Sequence, residues 1–226
     1  MAIRGIIFDF DGTILDTEYP EFVVWREFFK SYNTDLKPTE WAKTLGTTNK
    51  EFNPLQDLAQ QVGLSTDLDE LLDLRRDQIM QSILQQPILP GVVNYLNNAQ
   101  KIGLKIGVAS SSGRKWVQGH LERLGLLSFF DTIVTSNDVQ RVKPDPDLFL
   151  LALDKLGLRS DEAIVLEDSL HGIEAAHQAG LQCVAIPNEI SKHLDLSQAD
   201  MIINSLEEIS LNQLILKFPI RAKSLN

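Results

Sequence analysis

The sequence predicts an α/β protein whose core is a doubly wound parallel sheet carrying an inserted α-helical domain. Short apolar runs alternate with helical patterns, which is typical of β-α-β units. Each apolar run ends just before polar residues, and parallel sheets bind ligands at the carboxyl ends of their strands. The first two runs are separated by roughly ninety residues without a strand signal, too many for a loop inside a compact domain.

Five runs are predicted as buried strands because they are largely apolar on both faces. They cover residues 3–8, 104–109, 131–135, 163–167 and 182–186. Helices are predicted between them. One runs from near Gly113 to Gly125, and another starts with Asp145 as N-cap and Pro146 as its first residue. A third runs from Ser169 to Gly180, where the glycine fits a helix end.

The long segment after the first strand is predicted as an inserted helical domain over residues 17–87, leaving 1–16 and 88–226 as the core domain. Apolar residues recur in it at helical spacing. They are Phe22, Trp25, Phe28, Phe29 and Tyr32, and later Leu68, Leu71, Leu72, Ile79 and Ile83. Further helices are predicted over residues 39–45 and 49–62.

The composition excludes several classes of protein. With 43 % hydrophobic and 23 % charged residues in 226, the chain has ordinary globular composition. A net charge of -10 argues against a broad nucleic-acid surface. The single cysteine, Cys183, allows no disulfide and no thiolate metal site. The apolar stretch at the N-terminus is too short for a signal peptide or a membrane span, which predicts a cytoplasmic protein without a membrane partner.

Polar residues whose side chains could take part in catalysis or ligand binding follow four of the predicted strands. Asp9 and Asp11 follow the first, Ser110 the second, Lys143 the third, and Glu167-Asp168 ends the fourth. Taken singly, such residues are more often helix caps or solvated side chains. Their convergence at one edge of a sheet favours a common site.

This set is what phosphoryl transfer through an aspartyl intermediate requires. Asp9 and Asp168 offer the hard oxygen ligands that Mg²⁺ prefers. Ser110 and the helix N-terminus behind it can bind phosphate oxygens. Lys143 supplies a positive charge, so an acidic chain can still bind an anion.

The stretches DFDGTILDTE, VASSS, VKPDPDLF and LEDS, in this order, resemble the four motifs of the haloacid dehalogenase-like hydrolase superfamily. They span nearly the whole chain, and the helical insert resembles the four-helix cap of that family, whose core is Rossmann-like. Within the superfamily the sequence is most similar to the β-phosphoglucomutase-like phosphatases.

The resemblance implies a role for each motif residue. Asp9 is implied as nucleophile and Mg²⁺ ligand, and Asp11 as general acid/base whose backbone carbonyl is a ligand. Asp168 is implied as a further Mg²⁺ ligand, and Glu167 as one that acts directly or through water. The expected phosphate or substrate contacts are Gly12, Ser110, Ser111 and Lys143, of which Ser110 and Lys143 also count as catalytic.

The motifs do not determine which residues contact the substrate beyond its phosphate. Each candidate for such a contact could equally be a solvated surface residue. The candidates are Glu18, Glu21, Asn49, Lys50, Arg76, Ser112 and Arg114. Among the histidines, His171 alone lies near a motif.

The predicted activity is Mg²⁺-dependent hydrolysis of a small phosphorylated metabolite, with a sugar phosphate as one option. A phosphosugar mutase of the β-phosphoglucomutase type is the main alternative. Alignment to such mutases places Glu21 at their cap histidine and Asn49 at their cap arginine, which favours the phosphatase. Asp11 disfavours a dehalogenase, and nothing marks a lysine for the Schiff base of a phosphonatase.

A receiver-like phosphoacceptor module is the non-enzymatic alternative. Receivers carry their acidic pair on a different strand from the phosphoacceptor, and they have no cap. Here Asp9, the candidate phosphoacceptor, lies two residues from Asp11 after the same strand, which favours the enzyme. The sequence leaves the oligomeric state open, and a monomer is compatible with it.

Overall fold

The computed structural model describes residues 3–45, 53–63 and 68–218. A six-stranded parallel sheet forms the core, with strand order β3-β2-β1-β4-β5-β6. The strands are β1 (Gly5–Phe8), β2 (Lys105–Ala109), β3 (Thr132–Val134), β4 (Ala163–Glu167), β5 (Gln182–Ala185) and β6 (Met201–Ile202). The order reverses direction at β1, so the carboxyl ends of β1, β2 and β4 are neighbours.

Helices pack on both faces of this sheet and confirm the doubly wound fold. The core helices are α5 (Val92–Lys101), α6 (Arg114–Arg123), α7 (Asp147–Leu156), α8 (Leu170–Gln178) and α9 (Leu211–Lys217). Ile6 and Phe8 belong to one hydrophobic cluster, and Ile7 belongs to the cluster on the other face. This alternation follows from the two-residue period of a strand. It explains why the strand runs are apolar throughout.

In the segment between β1 and α5, the described residues are mostly helical from Glu18 onwards. The segment contains α1 (Glu18–Ser31), α2 (Pro38–Trp41), α3 (Pro54–Val62) and α4 (Leu68–Leu84). Phe22, Trp25 and Phe29 are buried in a hydrophobic cluster of their own, separate from the two sheet clusters. These helices form the cap. Its predicted limits at residues 17 and 87 stay a prediction.

Several element boundaries differ from the prediction. The helix expected to begin at Pro146 begins at Asp147, with Pro146 itself as the N-cap residue. The helix expected over 39–45 is a short α2 followed by a 3₁₀ helix, Ala42–Thr44. The helix expected over 49–62 begins at Pro54, because the Asn53 side chain accepts the N–H groups of Leu55 and Gln56 as a cap. Residues 49–52 lie outside the described residues.

Within the described residues, two α-helices and one strand were not predicted. They are α5, β6 and α9, and further 3₁₀ helices occur at Leu127–Phe129, Ser160–Glu162 and Ser191–His193. The strand β6 has two residues, too few for a periodic signal in the sequence. In the described part of the chain, no helix is both long enough and apolar enough to cross a membrane.

One long-range hydrogen bond gives a test of the core packing. Tyr95 on α5 is 1 % exposed, and its hydroxyl donates to the carbonyl of Ile209 at 2.7 Å. We expect Tyr95→Phe to lower the free energy of unfolding by about 1 kcal/mol, because the partly buried carbonyl of Ile209 loses its partner. Urea unfolding would measure the change. The exposed Tyr19, as Tyr19→Phe, is the matched control and should stay within about 0.5 kcal/mol of the wild type.

Candidate active site

The polar residues that follow the strands meet at the carboxyl edge of the sheet. Asp9 follows β1, Ser110 follows β2, and Glu167 ends β4 with Asp168 next to it. Lys143 comes from the loop between β3 and α7, and its side chain is buried against Asp9. The structure therefore brings all four motifs together, as a doubly wound sheet requires.

A cavity of about 440 Å³ lies above this edge, between the sheet and the cap. The core residues lining it include Asp9, Asp11, Ser111, Ser112, Trp116, Lys143, Asp168 and Ser169. From the cap segment it is lined by Thr17, Glu18, Glu21, Trp41, Leu45, Arg76, Ile79, Met80 and Ile83. Its floor is thus polar and charged, whereas much of its roof is apolar.

Lys143 links two carboxylates at the floor of the cavity. Its ammonium contacts Asp9 Oδ1 and donates to Glu167 Oε1 at 2.6 Å. The other oxygen of Glu167 accepts from Asp168 N at 3.0 Å, Ser169 N at 3.1 Å and Ser169 Oγ at 3.0 Å. Both oxygens of Glu167 are therefore occupied by protein donors. Asp9 contacts Lys143 through Oδ1, so its Oδ2 is left for a metal ion or a substrate.

Burial shifts the protonation equilibria of this cluster. It raises the pKa of Asp9 to about 8, although Lys143 acts in the opposite direction. Burial and the neighbouring Glu18 also hold the pKa of Asp168 well above its usual range. Burial alone would lower the pKa of Lys143, but the Asp9 and Glu167 carboxylates outweigh it and raise that pKa. The site has more carboxylates than one lysine can neutralise.

The carboxylates form a group that could hold a metal ion. Asp9, Glu167 and Asp168 are all buried, and one oxygen from each lies within 4.8 Å of the others. Glu18 Oε2 is also buried and has no hydrogen-bond partner within the described residues. Hard oxygen donors with an excess of negative charge fit a divalent cation such as Mg²⁺.

The Asp11 carboxylate is held by four donors. Its Oδ1 accepts from Thr17 Oγ1 at 2.9 Å and from Trp116 Nε1 at 2.8 Å. Its Oδ2 accepts from Ser112 Oγ at 2.6 Å and from Ser110 Oγ at 3.3 Å. These bonds place the carboxylate at the cavity wall, away from the Lys143–Glu167 pair. Asp9 and Asp11 thus have different environments although they are two residues apart.

Gly12 lies where a side chain would not fit. Its φ is +81°, and a Cβ atom there would lie 2.3 Å from Asp168 Oδ2. Glycine adopts this backbone conformation without steric cost. The glycine therefore lets the chain after Asp11 pass close to the Asp168 carboxylate.

The remaining predicted contacts divide into three groups. Glu18, Glu21, Arg76, Ser111 and Ser112 line the cavity. Arg114 is not among the lining residues: it pairs with Asp138 at 2.6 Å, because the start of α6 faces the loop after β3. Asn49 and Lys50 lie outside the described residues. His171 does not line the cavity either, and its Nδ1 lies 3.0 Å from the backbone oxygen of Leu45 in the cap.

The hydrogen bonds to Asp11 and Asp168 include some from three residues that were not predicted. Thr17 and Trp116 hold Asp11, and Asn188 donates to Asp168 Oδ2 at 2.7 Å. The sequence did not mark Trp116 as a site residue, because a tryptophan on a helix more often packs in a hydrophobic core. Asn188 follows the fifth predicted strand, so the rule on carboxyl ends of strands could have found it.

The chain is similar to known proteins over most of its length. Residues 6–186 match the family model described as haloacid dehalogenase-like hydrolase. The chain is 42 % identical over 213 residues to "Putative phosphatase YhcW" of Bacillus subtilis (strain 168), covering 94 % of this chain and 96 % of the relative. It is 30 % identical over 189 residues to "Fructose-1-phosphate phosphatase YqaB" of Escherichia coli (strain K12), covering 80 % and 95 %.

Solved structures show the same architecture. The crystal structure titled "putative beta-phosphoglucomutase" from Thermotoga maritima superposes with a TM-score of 0.75 at 27 % identity. The match covers 93 % of this chain and 98 % of that one. The similarity therefore includes both the sheet and the cap.

Proposed function

The chain belongs to the haloacid dehalogenase-like hydrolase family, and on that premise we propose that it is a Mg²⁺-dependent phosphatase of small phosphorylated metabolites. The predicted resemblance to this family is confirmed. One observation supports this reaction above the others: a buried Asp9 contacts Lys143 at the floor of the cavity, and Asp11 lies at its wall. A nucleophile and a separate acid/base are what hydrolysis through an aspartyl phosphate needs.

In the first step Asp9 attacks phosphorus, and the bond from phosphorus to the leaving oxygen breaks. Asp11 gives its proton to that oxygen, and the alcohol departs. Lys143 stands beside Asp9 and reduces its repulsion of the incoming phosphate. The Ser111 hydroxyl lines the cavity and, with the N-terminus of α6, is suited to hold phosphate oxygens. The predicted contact from Ser110 is not seen, because its buried hydroxyl donates to Asp11.

In the second step Asp11, now a carboxylate, takes a proton from water. The resulting oxygen attacks phosphorus, and the bond from phosphorus to Asp9 breaks. Inorganic phosphate leaves, and Asp9 is regenerated. Closure of the cap over the bound substrate would exclude bulk water from the reaction.

Asp9 and Asp168 are the residues best placed to hold Mg²⁺, with the Asp11 backbone carbonyl as a further ligand. Glu167 is assigned to bind the cation through water and not directly, because its oxygens accept hydrogen bonds from Lys143 and from residues 168 and 169. When bound, the cation would neutralise charge on the nucleophile and the phosphate. It would also balance the carboxylate excess of the site.

The substrate class follows from the cavity and from relatives. Glu18 and Glu21 line the cavity wall and can accept hydrogen bonds from hydroxyl groups, while Ile79 and Met80 offer an apolar surface. A small sugar or polyol phosphate fits both features. A relative named for fructose 1-phosphate agrees with this choice.

A phosphosugar mutase is the second candidate, favoured by the similarity to the Thermotoga maritima structure. The two candidates differ in whether a bisphosphate is retained. Glu21 is acidic and lines the cavity where the aligned mutases have a histidine. The phosphatase is therefore preferred.

Phosphate release from a panel of phosphorylated metabolites, with Mg²⁺ or with EDTA, tests the proposal. We expect Mg²⁺-dependent release from small sugar or polyol phosphates. Conversion of β-glucose 1-phosphate to glucose 6-phosphate in the presence of the bisphosphate would establish the mutase instead. Release that continues undiminished in EDTA would contradict the role given to Mg²⁺.

Removal of metal should make the stability depend on pH. A carboxyl whose pKa is higher in the folded protein than in the unfolded chain binds protons on folding, so stability falls as the pH rises between the two values. For Asp9 these are 3.8 and about 8. In EDTA we expect the free energy of unfolding to fall by about 2 kcal/mol between pH 6 and pH 8.

Urea unfolding at the two pH values measures this fall. Asp9→Asn, which lacks the titrating group, is the control and should show a smaller fall. Saturating Mg²⁺ should also reduce it, because the cation favours the ionised carboxylate. An equal fall in the wild type and in the variant would show that Asp9 is not responsible.

A further inference from the structure

The loop that follows β5 reaches into the proposed Mg²⁺ site. Asn188 Nδ2 donates to Asp168 Oδ2 at 2.7 Å, and Asp168 is 2 % exposed. We propose that Asn188 is a positioning residue that fixes the Asp168 carboxylate in the orientation needed to bind the cation. This inference rests on the metal site of the proposed function.

The orientation of the Asn188 amide follows from its other contacts. Its Oδ1 accepts from the backbone N–H groups of Ile190 and Ser191, both at 2.8 Å. A flipped amide would place its NH₂ group against those two donors. The NH₂ group must therefore face Asp168, and only a side chain with both an acceptor and a donor makes this set of contacts.

The loop that carries Asn188 is itself fixed. The backbone N–H of Asn188 donates to Ser191 Oγ at 2.9 Å, and Ser191 is fully buried. Ile190 is also fully buried, inside the hydrophobic cluster of the cap with Phe22 and Trp41. The core loop is thus anchored in the cap through Ile190. The Asn188 amide is therefore fixed both by its own loop and by the packing of that loop against the cap.

The contact leaves Asp168 able to bind metal. A carboxylate has about four lone-pair sites, and within the described residues Asn188 supplies a single donor to Oδ2. Gly12 packs against the same oxygen, since a Cβ on it would lie 2.3 Å from Asp168 Oδ2 and 2.6 Å from Asn188 Nδ2. Oδ1 is left for the cation.

A neutral donor suits this position better than a charged one. A second lysine beside Asp168 would orient the carboxylate but would repel a divalent cation. Groups that orient metal ligands typically change metal affinity by roughly ten- to a hundredfold. Asn188 provides the orientation without an added positive charge.

Isothermal titration of Mg²⁺ into the metal-free protein, without substrate, tests the proposal. We expect Asn188→Ala to weaken Mg²⁺ binding by roughly ten- to a hundredfold. Asn98→Ala, at an exposed position on α5, is the matched control and should bind as the wild type does. Thermal unfolding in EDTA checks that each variant is folded.

Asn188→Ser covers the case in which Asn188→Ala does not fold. Its hydroxyl can still accept from the N–H groups of the loop but is too short to reach Asp168, so the same weakening is expected. Folded variants that bind Mg²⁺ within twofold of the wild type would overturn the positioning role and leave the proposed reaction intact. A wild type that binds no Mg²⁺ would overturn the metal assignment itself.

Discussion

Asp9→Asn is expected to abolish hydrolysis of phosphomonoesters, with a loss in kcat of about 10⁴-fold or more. The amide cannot act as the nucleophile, so no aspartyl phosphate forms. It also offers a weaker metal ligand than a carboxylate. The substitution is nearly isosteric, and the contact with Lys143 can be kept through Oδ1, so the variant should fold.

Phosphate release with the best substrate of the panel measures this loss. Asp154→Asn, at an exposed position on α7, is the matched control because it makes the same chemical change far from the cavity. It should retain full activity. Full activity of Asp9→Asn would remove the basis for an aspartyl-phosphate mechanism in this chain.

Asp11→Asn is expected to lower kcat by about 10²- to 10⁴-fold for substrates with an alcohol leaving group. An amide neither gives a proton to the departing oxygen nor takes one from water. Asparagine can keep two of the four contacts around Asp11, since Oδ1 can still accept from Thr17 and Trp116. The loss would therefore reflect proton transfer and not a misplaced side chain.

The leaving group separates the two steps in which Asp11 acts. p-Nitrophenolate leaves without a proton, so p-nitrophenyl phosphate should give Asp11→Asn a rapid burst of one equivalent of nitrophenol followed by slow turnover. Stopped-flow absorbance measures the burst. An Asp11→Asn enzyme that turns over sugar phosphates at the wild-type rate would exclude Asp11 as the acid/base.

The electrostatics of the site explain why the reaction should need a cation. At neutral pH a buried Asp9 with a pKa of about 8 is largely protonated, and a protonated carboxyl is a poor nucleophile. Lys143 is shared with Glu167 and so cannot fully offset the burial. A divalent cation beside Asp9 and Asp168 would supply the missing charge.

Much of the fold could be predicted from the sequence because its signals are local. Buried parallel strands are apolar on both faces, and three of the five predicted runs end at, or directly before, a residue of the site. The strand limits were accurate to one or two residues. β6 was not predicted because two residues are too few to show an alternation of apolar and polar positions. The cap helix expected from residue 49 begins only at Pro54, because the Asn53 side chain caps its N-terminus.

The sequence by itself determined the family, since the order of carboxylates, serine and lysine along the chain is that of its four motifs. Only the tertiary structure decided what holds each carboxylate. Trp116 reaches Asp11 across 105 residues of chain, and Asn188 reaches Asp168 from a loop anchored in the cap. Such contacts depend on how distant segments pack, and no local pattern of residues specifies them.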